Sequence, residues 1–392
     1  MGENKMSLTH SPSIVTSGLE FYYDILNTKK SWKGKPTTNL VPNVGLNFFN
    51  AIVGAYLGVE NGWKKYSLSG TWAAGTYPYC MSITTNIFTG GVDYSSSIYI
   101  KTNVIDKFDY KFTGMNYVNQ PQNSGGASFS VTHNDGSIYV GRSGFNYIST
   151  TSQTGYLLSK PLADGTTFNP STDFIWIKEG QIEEGLFATP YTNGTRSNTQ
   201  SLLDMTNNSV ITATELTYNA DGTMIFDGIN DYISIANPLD TSLPYSAIQW
   251  LRPSVALPDT TSSGSRVTPF VGPGPTWNPG WWMTARVFRV HAKTEYRDVT
   301  INWVGDTSWH QVGQIFDGTT LYTIIDGEVI LGSRTAYSPP LQNTIYIGAE
   351  TIAGSTITNW DGEIEITKIY NKALTPAEVK QNFEALRGRF GI

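Results

Sequence analysis

The 392-residue chain holds a single cysteine, Cys80, so no disulfide can form within it and its fold must rest on packing. No apolar run approaches the roughly 20 residues that a membrane-spanning helix needs, and this excludes a helical anchor from the sequence as read. An excess of basic residues is missing too. Lys and Arg number 26 against 32 Asp and Glu, a net charge of −6. Phosphate binding needs a basic face, so this balance argues against a nucleic-acid partner. Residues Met1 to Ser13 lack the apolar core of a secretory signal. The expectation is a protein made and folded in a cytoplasm, with any export by lysis or by release of a larger particle. Heptads, collagen-like triplets and β-helix repeats are absent as well, and long fibres use these to trimerise.

What is present points to strands and turns. Aromatic residues make up 13% of the chain against only 15% charged, with 38 Gly, 22 Tyr and 11 Trp. Residues Ser130 to Val140 predict a hairpin turning at Asp135-Gly136, and Leu321 to Leu331 another turning at Asp326-Gly327. Other Asp-Gly pairs begin at positions 164, 221, 227, 317 and 361. From Ala285 to Ala292, Phe288 and Val290 alternate with Arg289 and His291, the pattern of a half-buried strand. A single clear helix follows Thr375, a good N-cap, with Pro376 at its first position and Glu378 completing a capping box. Val379, Phe383 and Leu386 share its apolar face, and Gly388 is placed to stop it. The length allows about two domains. The fold class is all-β, two antiparallel β-sandwich (jelly-roll) domains with a short C-terminal helix.

The C-terminal block resembles the laminin-G-like, concanavalin-type jelly roll of tailed-phage virion proteins. The residues that carry this are Met224 to Ile233, Ser308 to Val312, Phe316 to Gly318, Ile325 to Gly327, Trp360 to Ile364 and Ile369 to Val379. The resemblance implies that Phe226 and Tyr232 point inward and that Trp309 packs in the sandwich centre. Ile14 to Asp24 with Ser31 to Gly34 look like the first strand and loop of the same domain, yet the continuation, Leu202 to Asn208, comes only after position 200. The inference is a discontinuous outer domain, residues 1–36 plus 197–392, with residues 37–196 inserted in its first loop. Residues 14–24 should then pair with the C-terminal strands. The inserted block resembles jelly-roll carbohydrate-binding modules of phage structural proteins through Thr37 to Val41, Trp63 to Trp72, Tyr94 to Lys101 and Phe174 to Gly185. It ends in Ala188 to Tyr191 and Gly194 to Arg196, a run similar to those of phage tail and virion proteins.

Candidate sites follow from exposed aromatics and clustered carboxylates. Gly272 to Trp282 is rich in Pro and Gly and carries Trp277, Trp281 and Trp282, which could stack on a sugar, anchor a protein contact, or begin the core of the next strand. Trp63, Trp72, Tyr77 and Tyr79 pose the same choice in the middle block. Asp227, Asp231 and Asp240 could hold calcium, as the resembled domains often do, or close turns. No other cofactor is implied. Asp361, Glu363 and Glu365 alternate on one strand, the placement of a glycosidase pair or of a wet face. Glu179, Glu183 and Glu184 are read the same way. The histidines His10, His133, His291 and His310 show no metal-ligand spacing.

The expected function is a non-enzymatic phage virion surface protein, a capsid decoration or compact fibre module adhering to glycans. Its partners would be major capsid or tail proteins, cell-surface glycans and further copies of itself on the particle, with no membrane or nucleic acid. The alternatives are a tail receptor-binding adhesin and a polysaccharide depolymerase.

Overall fold

A computed structural model describes residues 13–40, 53–71, 79–83, 91–109, 127–146, 155–158, 160–161, 165–218, 224–262, 267–271, 280–292, 295–336, 343–352 and 355–392. They form two compact units. One holds the described residues of Met1–Gly34, Asn198–Asn219 and Thr223–Ile392; the other holds those of Lys35–Ser197. Both are antiparallel β-structures, as the composition implied.

The first unit is a sandwich of two eight-stranded sheets. In one, Asp361–Tyr370 pairs along one edge with Tyr245–Pro253 and along the other with both Met224–Asp227 and Leu19–Asp24. The strand Leu19–Asp24 thus lies beside the C-terminal strand, with Phe21 opposite Ile369. The second sheet runs in the order Thr212–Thr214, Tyr232–Ala236, Thr344–Ile347, Val267–Val271, Gly280–Met283, Val287–Ala292, Glu295–Thr300 and Ser333–Ala336. Period-two alternation delivers Ile233, Ile235, Phe288, Val290, Ile345 and Ile347 to the core between the sheets. Trp281 and Trp360 fill that core, and Trp281 stacks on Phe270 with centroids 4.2 Å apart. A Cβ on Gly348 (φ +91°) would fall 2.2 Å from the Phe226 ring, so only glycine lets that ring reach the core.

Two inferred aromatic positions are corrected. Phe226 is inward and buried, but Tyr232 is half-buried on the opposite face of its strand, where it meets Tyr346 at 5.5 Å. Trp309 lies outside the sandwich, against Phe390 and under the Arg252 guanidinium. It precedes the strand His310–Phe316, so strand alternation does not aim it at the core.

The helix Pro376–Glu384 has the capping box its sequence predicts, with Thr375 as N-cap. It covers the outer side of the first sheet, where Trp250 stacks on Phe383 at 5.5 Å and on Phe390 at 4.4 Å. Gly388 does not stop it. The helix ends at Glu384, a second turn Arg387–Phe390 follows, and Gly391 (φ 75°) closes that turn.

The second unit is built on a six-stranded sheet ordered Val53–Glu60, Trp63–Leu68, Phe174–Glu184, Asp93–Thr102, Ile138–Asn146 and Ala127–Thr132. Tyr66, Leu68, Ile98, Ile100, Val140, Ile175 and Ile177 bury one face of it. The chain enters and leaves this unit side by side, since Thr37 pairs with Arg196 and Thr38 with Thr195.

Candidate functional site

Among the described residues, the other face of that six-stranded sheet carries a group of partly exposed rings and cations. Its geometry is set locally. Asn61 and Gly62, both left-handed (φ 51° and 81°), make the two-residue turn that places Glu60 opposite Trp63. In Phe174–Glu184, Ile175 and Ile177 go to the core, so Phe174, Trp176 and Lys178 must lie on the far side. Register does the rest. Trp176 sits between Lys65 and Lys101 on its two neighbours, Lys178 faces Tyr99, Tyr99 faces Tyr139, and Tyr139 faces Val131.

The side chains form one row made of two contacting groups. Lys65 Nζ stands 4.6 Å from the Phe174 ring and 5.0 Å from that of Trp176. Lys178 Nζ lies 4.8 Å from Trp63 and 5.1 Å from Tyr99. Tyr99 then meets Tyr139 at 4.6 Å and His133 at 5.5 Å, and Tyr139 meets Phe129 at 5.4 Å. Five strands at ~4.8 Å spacing make this row roughly 20 Å long. Trp63, Trp176, Tyr99, Tyr139, Phe174 and Phe129 are all half-buried, each keeping part of its surface open. Gly141 opposite Phe129 is obligatory, because a Cβ there would lie 2.3 Å from the ring and 2.2 Å from the Ser96 carbonyl oxygen.

The end of the face is closed by a polar latch. Register slips after Lys178, where Glu179 is left-handed (φ 55°), and Gln181 and Glu183 stay on the same side as Lys178. Both are fully buried. Glu183 accepts the Thr189 N–H at 2.6 Å and its hydroxyl at 2.8 Å, and Gln181 donates to Glu183 at 2.7 Å. Arg196 Nη1 donates to the Thr189 hydroxyl at 3.0 Å. The runs Ala188 to Tyr191 and Gly194 to Arg196 therefore form a clasp over the strand end. A nearby cleft of about 700 Å³, lined by Lys35, Pro36, Leu40, Glu184 and Arg196 among others, holds no aromatic ring.

The electrostatics of the row are mixed. The Trp176 indole donates to Glu60 at 3.1 Å, and this bond, with Lys65 at 3.2 Å, holds the Glu60 carboxyl below its ordinary range. Burial pushes the Tyr139 hydroxyl up to about 12, with Glu183 and Glu179 adding to the shift. Burial also raises Tyr99, with Glu179 and Asp135 contributing. Both phenols stay protonated near neutrality and can donate hydrogen bonds.

Of the sites expected from sequence, Trp63 belongs to this row. Trp72, Tyr77 and Trp277 lie outside the described residues, and of Tyr79 only the strand Tyr79–Ile83 is described. The expectation of exposed contacts at Trp281 and Trp282 is corrected: they are 0% and 1% exposed. Strand alternation sends Trp281 into the core. Trp282 goes to the outer side, where Val287 and Tyr346 pack on it and the Arg289 guanidinium covers it at 4.7 Å. The calcium candidates serve turns instead. Asp227 accepts the N–H of Ile229, Asp231 those of Thr217 and Asp227, and Asp240 the N–H and hydroxyl of Ser242. Among the described residues, no three His, Cys, Asp or Glu side chains converge on a metal position.

The carboxylates of the last strand do not share one wet face. A bulge at Glu365 puts Ile364 in the core and Ile366 outside it. Glu363 is tied to Arg252 at 2.6 Å, while burial raises the Glu365 carboxyl to about 8. In the middle unit Glu183 serves the latch, Glu179 pairs with Lys178 at 3.3 Å, and Glu184 is exposed. His10 lies outside the described residues. His133 borders the aromatic row, His291 is buried beside Tyr296, and His310 lies between Asp306 and Asp326.

Sequence reading missed Trp176, Tyr99, Tyr139 and the lysines among them. The signal was available in the alternation Phe174, Trp176, Lys178, but which face of that strand stays open depends on its neighbours.

Residues 227–380 match the family model described as the concanavalin A-like lectin/glucanases superfamily. No curated protein matches the chain. Among solved structures the chain is similar to the binding domain of botulinum neurotoxin serotype D (15% identity, 48% of this chain and 49% of that one, TM-score 0.35). It is similar also to a botulinum neurotoxin type C structure, described as interacting with two ganglioside molecules (14%, 48% and 50%, TM-score 0.36). A third is the type G receptor-binding domain (12%, 47% and 48%, TM-score 0.33). The chain spans about half the length of each.

Proposed function

We propose that the protein is a non-enzymatic glycan-binding protein of a tailed-phage particle surface, and that its second unit holds the glycan on the open face of the six-stranded sheet. The carrying observation is the row Phe174, Trp176, Trp63, Tyr99, Tyr139 and Phe129 across five strands. Tilted rings set side by side on one sheet face offer apolar surface to the C–H faces of successive sugars, while Glu60, the lysines and the two phenols supply hydrogen-bonding groups at the rim. The match of residues 227–380 to a lectin and glucanase superfamily supports a carbohydrate role more coarsely.

Screening the full chain on a glycan array, beside Trp176→Ala and Tyr99→Ala, tests this. Each variant should weaken binding at least tenfold, about 1.4 kcal/mol. Binding that survives both substitutions unchanged would remove the face from consideration.

The phage reading rests on the resemblance of the C-terminal block and of the Ala188 to Arg196 segment. The same reading takes residues 37–196 as a domain inserted in the outer jelly roll, in keeping with the antiparallel pairing of its two ends. Partners would be capsid or tail proteins and neighbouring copies. Imaging the native particle decides among these. Density on capsid lattice points identifies a decoration protein, density at the tail a receptor-binding one, and density nowhere on the particle sinks the virion role.

A further inference from the structure

We infer that the glycan this face selects is an acidic polysaccharide, one bearing carboxylates along its backbone. The inference rests on the glycan-binding reading and adds the ligand's charge. Three lysines stand within the aromatic row. Lys65 and Lys178 each lie over two rings while paired with Glu60 at 3.2 Å and Glu179 at 3.3 Å. Those ammonium groups occupy the ring faces on which a sugar would stack. A neutral sugar displaces them and returns nothing to the displaced charge. An acidic sugar gives the moved ammonium a carboxylate partner while its ring takes the aromatic face.

Lys101 completes the case. It is exposed, lies directly opposite Trp176, and acts through its charge on the Glu60 and Asp135 carboxyls without closing a salt bridge to either. This exposed cation sits on the middle strand of the row, where a ligand carboxylate would meet it beside the Trp176 ring. This local concentration of lysine contrasts with the net charge of −6 for the chain.

A single-stranded nucleic acid also uses rings and lysines, but it carries a charge on every residue. Here Glu60, Glu179 and Asp135 are interleaved with the cations. Carboxylates in those places repel a continuous run of phosphates, yet accept hydrogen bonds from sugar hydroxyls between sparser acidic groups.

The test uses the full chain and matched polymers with a carboxylate on every second sugar: hyaluronan and unsulfated chondroitin, each beside its carboxyl-reduced form, with a 20-residue oligothymidylate as comparison. Affinities are measured by titration calorimetry at low and high salt. The acidic forms should bind at least tenfold more tightly than their reduced counterparts, and the advantage should shrink with salt. Lys101→Gln, at an exposed position, should bring the acidic form down to within about threefold of its reduced counterpart and flatten the salt dependence, whereas Trp176→Ala should weaken both forms and keep the ratio between them. Equal binding of acidic and reduced forms, still sensitive to Trp176→Ala, overturns the charge preference and leaves the glycan reading standing. Tightest binding to the oligonucleotide, or no binding to any polysaccharide, overturns both.

Discussion

Glu183 holds Thr189 at three points: it accepts the backbone N–H at 2.6 Å and the hydroxyl at 2.8 and 3.1 Å. The same hydroxyl accepts from Arg196 at 3.0 Å and from Gln181 at 3.2 Å. One buried oxygen thus joins the end of the central strand to the segment that closes the second unit, which explains the physical use of Ala188 to Arg196.

Thr189→Val keeps the shape and removes that oxygen. Buried donors and acceptors then lose a partner, and the loss should be about 1–3 kcal/mol by chemical denaturation. Thr189→Ser, which retains the hydroxyl, should stay within about 1 kcal/mol of the parent. If Val and Ser behave alike, the clasp is not held by this oxygen.

Lys368 should be a source of instability in the first unit. It is fully buried, its ammonium makes no hydrogen bond among the described residues, and its nearest described ring is Tyr22 at 5.3 Å. Burial lowers the amine to about 7, with Asp24 acting against the shift and Arg389 adding to it. The unfolded chain holds this proton up to about 10.5. The folded state is therefore penalised most below pH 7, and the penalty fades as pH rises from 7 toward 10.5. Lys368→Met should stabilise the protein by on the order of a few kcal/mol at pH 6, and by much less at pH 10. Thermal melts of both proteins across that range check this; a difference that does not change with pH would contradict it.

His310 should show the opposite trend. Its Nδ1 lies 2.8 Å from Asp326 and its Nε2 3.3 Å from Asp306, with the Trp303 indole stacked at 3.9 Å. Burial alone would lower the imidazole, but the two carboxylates outweigh it and raise the group above its ordinary value. Its contribution is thus fully present below the unfolded value of about 6.5 and is lost as pH rises through the higher folded value. His310→Gln should cost stability at pH 5.5 and cost less at pH 8.5, as read from denaturation midpoints. Equal costs at both values would show that the charge plays no part.

Much of this was legible in the residues because the relevant physics is local. Alternation around Phe288 and Val290, the Asp135-Gly136 and Asp326-Gly327 turns, and the Thr375 capping box are short-range patterns whose outcome scarcely depends on the rest of the fold. The all-β class follows from their repetition.

Tertiary structure decided what those patterns could not. Alternation says that Trp281 and Trp282 face opposite ways, but only the neighbouring strands show that the outer ring is covered as completely as the inner one. A single bulge at Glu365 reverses the faces beyond it, which no reading of Asp361, Glu363 and Glu365 as an even series can foresee. Trp63, Tyr99 and Trp176 lie far apart in sequence and come together only through strand order and register. Sequence by itself determined which residues could form strands, turns and the helix, since those preferences are set by each residue and its near neighbours. The open aromatic face was decided by the fold alone, because a sheet face belongs to several strands at once.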